Sequence, residues 1–264
     1  MTSIRSIRSI AILCGAVALG ACEKNAVQDI TGTLPAARIK FFNYGVSSPS
    51  VNFYANTTKM TAITSATGVE AVTGIAQGGV GGGGSYSGIA PGQYTLTARI
   101  SAAVDKDLAI TTVPATIADG KAYSMYISGI YNTTGKTAEG FVIEDPIPLE
   151  FSLGSLDFTT ASVRFVNAIS NAQPMALFVR NPTDGVERPI GGAVSYKGGS
   201  AFVSIPAGVY ELNTRVSGST TNAISRSGVS FVGGRIYTVG ARGNITIIST
   251  TDANRPQLDN AANR

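Results

Sequence analysis

Ile89-Ala-Pro-Gly-Gln-Tyr-Thr-Leu-Thr-Ala-Arg-Ile100 and Ile205-Pro-Ala-Gly-Val-Tyr-Glu-Leu-Asn-Thr-Arg-Val216 are two writings of one segment. Each opens on a Pro/Gly turn, where Pro fixes φ and Gly is free to take positive φ. Each then alternates: Tyr94, Leu96, Ala98 and Ile100 fall on one face, Thr95, Thr97 and Arg99 on the other. The second copy keeps the register, with Tyr210, Leu212, Thr214 and Val216 inward and Glu211, Asn213 and Arg215 outward. A period of two with one apolar face reads as an antiparallel strand packed on one side.

The repetition extends outward from that segment. Ala37-Arg-Ile-Lys-Phe-Phe-Asn43 matches Ser162-Val-Arg-Phe-Val-Asn167, and Val51-Asn-Phe-Tyr-Ala-Asn56 matches Met175-Ala-Leu-Phe-Val-Arg-Asn181. Gly120-Lys-Ala-Tyr-Ser-Met125 matches Gly234-Arg-Ile-Tyr-Thr-Val239, so four blocks recur in one order. No sustained helical period follows Cys22. Many short strands between Gly-, Asn- and Ser-rich turns predict a β-sandwich in each copy. Asp119-Gly-Lys-Ala-Tyr123-Ser-Met125 resembles the tyrosine corner of immunoglobulin-type sandwiches, with Met125 standing where such domains carry a cysteine. Tyr237 and Val239 hold the same places in the second copy. The expected fold is all-β: two tandem immunoglobulin-like antiparallel β-sandwiches.

Together the Arg-Ile-Lys-Phe strand, the Pro-Ala-Gly-x-Tyr block and the Gly-Lys-x-Tyr block resemble the DUF4397 family in two copies. That resemblance implies a bacterial or archaeal envelope protein and brings no catalytic or binding residues with it. The boundaries expected are a first sandwich over 37–145, an interdomain segment over 146–160 and a second sandwich over 161–250. The segment holds Leu149, Phe151, Leu153, Leu156 and Phe158, apolar enough to pack between the sandwiches and make a semi-rigid rod. The polar stretch 251–264 is expected to be a disordered tail.

The N-terminus carries its own signal. Arg5 and Arg8 precede an apolar run, Ile10 to Ala21, too short to span a bilayer. It ends in Leu19-Gly20-Ala21-Cys22, which resembles the lipobox of bacterial lipoproteins. The resemblance implies a signal peptide over 1–21, lipidation of Cys22 and a tether over 22–36. The partner it implies is a membrane, reached through the N-terminal lipid, and Glu23-Lys24 after the cysteine favours the outer membrane.

Composition closes off several functions. The chain has no histidine and no tryptophan, which removes imidazole acid–base, triad and imidazole–zinc chemistry. Its two cysteines are Cys14, in the signal, and Cys22, so the mature chain has no disulfide to make. A formal charge of +4, which counts Arg5 and Arg8, is too small to suggest nucleic acid. No catalytic residue, metal ligand or cofactor is assigned. Gly78-Gly-Val-Gly-Gly-Gly-Gly84 lacks the Lys-Ser/Thr of a phosphate loop and reads as a flexible loop. Asp105, Asp107, Asp119, Glu144 and Asp145 lack the spacing of a calcium loop and read as solvated turn carboxylates.

Two surface features are left. From 161 to 250, Arg164, Arg180, Arg188, Lys197, Arg215, Arg226, Arg235 and Arg242 outnumber Asp184, Glu187 and Glu211. Of these Arg180, Arg188, Lys197 and Arg226 are candidate contacts for an anionic ligand, while Arg164 and Arg215 take outward strand phases. Tyr86, Tyr126, Tyr131 and Tyr196 are candidates for a sugar-stacking patch. The expected function is a non-catalytic, membrane-anchored envelope lipoprotein that binds a protein or glycan at the cell surface. A periplasmic scaffold is the alternative, and a carboxylate- or metal-dependent hydrolase the alternative from another class.

Overall fold

The structure is a computed structural model that describes residues 36–62, 72–147 and 157–263. The lipobox, Cys22, residues 23–35 and residues 148–156 of the interdomain segment lie outside the described residues. The described residues belong to one compact unit.

The first repeat holds β1 (Arg38–Asn43), β2 (Val51–Ala55), β3 (Thr58–Lys59), β4 (Ser87–Gly88), β5 (Gly92–Ile100), β6 (Ala109–Ile117), β7 (Ala122–Asn132) and β8 (Thr137–Asp145). The second holds β9 (Thr160–Asn167), β10 (Met175–Arg180), β11 (Glu187–Val194), β12 (Gly198–Gly199), β13 (Val203–Pro206), β14 (Gly208–Val216), β15 (Asn222–Phe231), β16 (Ile236–Arg242) and β17 (Gln257–Ala262). In the first repeat sheet β3-β2-β5-β6 faces sheet β4-β1-β7-β8; in the second β11-β10-β14-β15 faces β12-β9-β16-β17, with β13 also on β9. The same strand order thus occurs twice, with β4 and β13 in equivalent places. The chain is all-β with sandwich architecture, and no α-helix occurs among the described residues.

Strand pairing is antiparallel except where the first strand of each repeat meets the tyrosine-corner strand: β1 runs parallel to β7 and β9 parallel to β16. Alternation of side chains is the same for either direction, so the sequence pattern carried no sign of it.

The corner itself forms in both copies. The Ala118 N–H donates to the Tyr123 hydroxyl at 3.1 Å, and the Val232 N–H donates to the Tyr237 hydroxyl at 3.0 Å, both from five residues upstream. The opening segments repeat just as closely. Tyr94 donates to the Ala90 carbonyl at 3.0 Å and Tyr210 to the Pro206 carbonyl at 2.7 Å. Met125 and Val239 are fully buried at the position after next.

The four sheets stack as layers with three apolar fillings. One core lies within the first sandwich, around Phe41, Phe53, Leu96 and Met125; another lies within the second, around Phe165, Leu177, Leu212 and Val239. A third, between the sandwiches, joins Phe42, Tyr44, Tyr126 and Phe141 to Val166 and Ala168. The inner sheets are therefore covered on both faces, which is why β1 is apolar at both Phe41 and Phe42.

One boundary changes. Residues 251–264 are not a tail: β17 pairs along β16 from Arg242↔Gln257 to Tyr237↔Ala262, and Leu258 is buried in the second core. Gln257 and Asp259 take the face of Ala261, which packs at the junction, while Asn260 takes the face of Leu258, so composition concealed a strand that one leucine anchors. Sheet against sheet also makes the contact between sandwiches, directly. Of the interdomain segment, Ile147 is buried between Ala122 and Ile236, and Phe158 is exposed.

Candidate functional site

The four basic candidates do not gather on one surface. Arg180 and Arg188 share the β10–β11 hairpin, where Arg180 pairs with Glu211 at 2.9 Å and Arg188 with Asp184 at 3.1 Å. Lys197 reaches across to the first sandwich and pairs with Glu139 at 2.7 Å. Arg226 donates to the Leu258 carbonyl at 2.7 Å, holding β15 to β17. The tyrosines do not form an open platform either. Tyr126 is wholly buried, Tyr196 meets the edge of Phe141 and hydrogen-bonds Ser128, Tyr131 packs on the first core, and Tyr86 closes over the junction.

The carboxylates are likewise dispersed, and among the described residues no three His, Cys, Asp or Glu come near enough to hold a metal. Asp105 pairs with Lys136 at 2.9 Å. In the glycine loop, Gly81–Gly84 make a short 3-10 turn in which Gly82 and Gly83 have φ of 59° and 62°, a conformation that favours glycine. Gly78 lies against the Arg242 guanidinium of the other sandwich, 2.8 Å from where a Cβ would stand.

The chemistry the sequence did not reveal lies at the junction. Arg164, read as an outward residue, is 1 % exposed, because the face of β9 opposite the second core packs on the first sandwich. Its guanidinium forms an ion pair with Asp145 at the end of β8, donates to the Glu144 carbonyl at 3.2 Å and donates from Nε to Thr238 Oγ1 at 2.9 Å. The other Asp145 oxygen accepts from Ser124 at 2.7 Å and from the Tyr86 hydroxyl. Both carboxylate oxygens are thus engaged by protein groups.

Lys40, the counterpart of Arg164 in the repeat, is fully buried as well. Its Nζ donates to the Ala262 carbonyl at 2.7 Å and to Asn263 Oδ1 at 3.1 Å, and lies 4.4 Å from the centre of the Tyr86 ring. Burial lowers its pKa to about 8; Asp145 works against that, and Arg164 and Arg38 add to it. Burial also raises the Tyr86 hydroxyl, helped by the neighbouring Asp145 charge. A signal for the site was present in the sequence: a cation at one place in both copies, followed by two apolar residues, one for each face.

The outer sheets face away from this junction. On the first, Arg99 stacks 4.5 Å over Tyr54 and donates to Thr97 and to the Asn56 carbonyl. Its counterpart Arg215 stacks 4.3 Å over Phe178 and is closed by a two-pronged pair with Glu187 at 2.6 and 2.8 Å. An open groove of about 430 Å³ on the first of these sheets is lined by Asn56, Gln93, Tyr94, Thr95, Pro114, Ala115 and Thr116.

Fold and site define an all-β protein of two interlocked sandwiches. Residues 161–263 match the model of the DUF4397 family, a domain of unknown function, so the second sandwich, β17 included, is a DUF4397 domain. No curated protein matches the chain. Among solved structures it is similar to the Bacillus anthracis TIE protein, at 15% identity and TM-score 0.25 over 78% of this chain and 33% of that one. It is similar to a leucine-rich repeat protein of Bacteroides thetaiotaomicron, at 14% identity and TM-score 0.20 over 80% and 26%. It is also similar to a candidate cell adhesion protein of Bacteroides ovatus, at 12% identity and TM-score 0.22 over 87% and 97%. The chain thus spans about a third and a quarter of the length of the first two. None of the three has a TM-score at which properties transfer.

Proposed function

We propose that this chain is a non-catalytic envelope lipoprotein, held to a membrane through Cys22, which presents a binding or adhesion surface. The observation that carries the reading is the junction. A buried charged cluster joins the two sandwiches, and both oxygens of its Asp145 carboxylate are engaged by protein groups. A rigid pair of sandwiches holds its outer sheets in fixed orientation, so a ligand meets a preformed face at low ordering cost. The groove on the first outer sheet, with the Asn56 and Gln93 amides, the threonine hydroxyls and the apolar Tyr94, Pro114 and Ala115, suits a hydroxyl-rich ligand such as a glycan.

Protease treatment of intact cells tests the display, with lysed cells as control and detection through the second sandwich. Loss of the protein from intact cells is expected. Protection until lysis would instead assign it to a periplasmic scaffold. Cys22→Ser should release the protein from membranes or stall its processing; undiminished attachment would contradict the lipid anchor.

A further inference from the structure

The junction obeys an approximate two-fold rule. Lys40 on β1 faces Ser124 on β7, and Arg164 on β9 faces Thr238 on β16, in the same register. Asp145 pairs with Ala122, one residue before Tyr123. Asn263 bonds back to Ile236, one residue before Tyr237. Asp145 and Asn263 are therefore the same position in the two repeats. Each receives the cation of the other sandwich: Arg164 goes to Asp145 and Lys40 to Asn263. Each is also tied to the hydroxyl beside it, Asp145 to Ser124 and Asn263 to Thr238, both at 2.7 Å.

The apolar part is reciprocal too, with sizes exchanged. Tyr44 lies on Gly240, where a Cβ would stand 2.6 Å from the Tyr44 ring. The equivalent positions, Ala168 and Tyr126, lie in the same cluster with large and small interchanged. Like positions on the two sheets thus complement each other, a large side chain on one meeting a small one on the other, as in a self-complementary dimer interface whose halves have diverged.

We infer that the junction is an isologous, dimer-type interface within one chain, whose fitting partner is a second copy of the same sandwich, and that its carboxylate can occupy either of two equivalent seats, Asp145 or Asn263. Among the described residues two buried cations, Lys40 and Arg164, with Arg38 close by, share a single acid, so the second seat is the place where another negative charge fits.

The test uses the mature chain carrying Asp145→Asn, Asn263→Asp or both, followed by thermal melting. Asp145→Asn removes the acid that Arg164 and Lys40 share and should lower Tm by about 10 °C. Asn263→Asp should hold or raise Tm. It should also flatten the dependence of stability on pH between about 8 and 10, by keeping Lys40 charged beside Arg38, Arg164, Asp145 and Tyr86. The double variant should recover most of what Asp145→Asn loses. If Asp145→Asn does not fold, recovery of soluble protein by the second substitution answers the same question. A double variant as weak as Asp145→Asn, or an Asn263→Asp that melts lower than the parent, would overturn the two-seat arrangement.

Discussion

Lys40 has a carbonyl, an amide oxygen and a tyrosine ring around its ammonium, and shares its nearest acid with Arg164. Desolvation dominates, and its folded pKa, about 8, lies below the unfolded value of 10.5. Between those values the unfolded chain binds more protons, so stability rises with pH through this window and is lowest below it. The full gap corresponds to roughly 3 kcal/mol. Chemical denaturation should therefore show stability climbing from about pH 8 to about pH 10, until tyrosines ionise in the unfolded chain and oppose it. Lys40→Met should abolish the climb, and a climb that persists in that variant would assign it elsewhere. At the corners, Tyr123→Phe and Tyr237→Phe each remove the acceptor of one backbone N–H and should each cost about 1 kcal/mol. Unequal losses in melting experiments would separate the two corners.

At the scale of elements, β17 decides most. It covers the edge of β16, places Leu258 in the second core and offers Ala262 and Asn263 to Lys40. Removing residues 251–264 should expose β16 and leave a buried lysine without acceptors. We expect loss of soluble protein, or loss of hydrogen-exchange protection along β16; an unchanged melting temperature would show that the strand contributes nothing. The alternating segments at 89–100 and 205–216 were legible because their polar residues face outward on outer sheets. The inner strands were harder to read, since a strand covered on both faces has no polar side to reveal its phase. Arg164 was misplaced for that reason: period two puts it opposite Phe165, and only a second layer makes that opposite side an interior.

For the whole molecule, the central layer joins the sandwiches through aromatic packing, the Arg164–Asp145 pair, the Lys197–Glu139 pair at 2.7 Å and the clasp of Ser47 and Gln77 on Asn254 at 2.8 Å. Circular dichroism and tyrosine fluorescence should consequently report one coincident unfolding transition. Two separated transitions would mean that the sandwiches unfold independently. Gly240→Leu drives a side chain into Tyr44 and should split the single transition or lower it by several degrees.

The sequence by itself determined the repeat, the all-β class, the tyrosine corners and the absence of imidazole chemistry, because each rests on local pattern or on composition. The tertiary structure decided the parallel pairing of β1 with β7 and of β9 with β16, the strand hidden in residues 251–264 and the burial of Lys40 and Arg164. Those depend on which surface meets which. A charged side chain such as Arg164 reads as solvent-facing until a second layer takes the place of water.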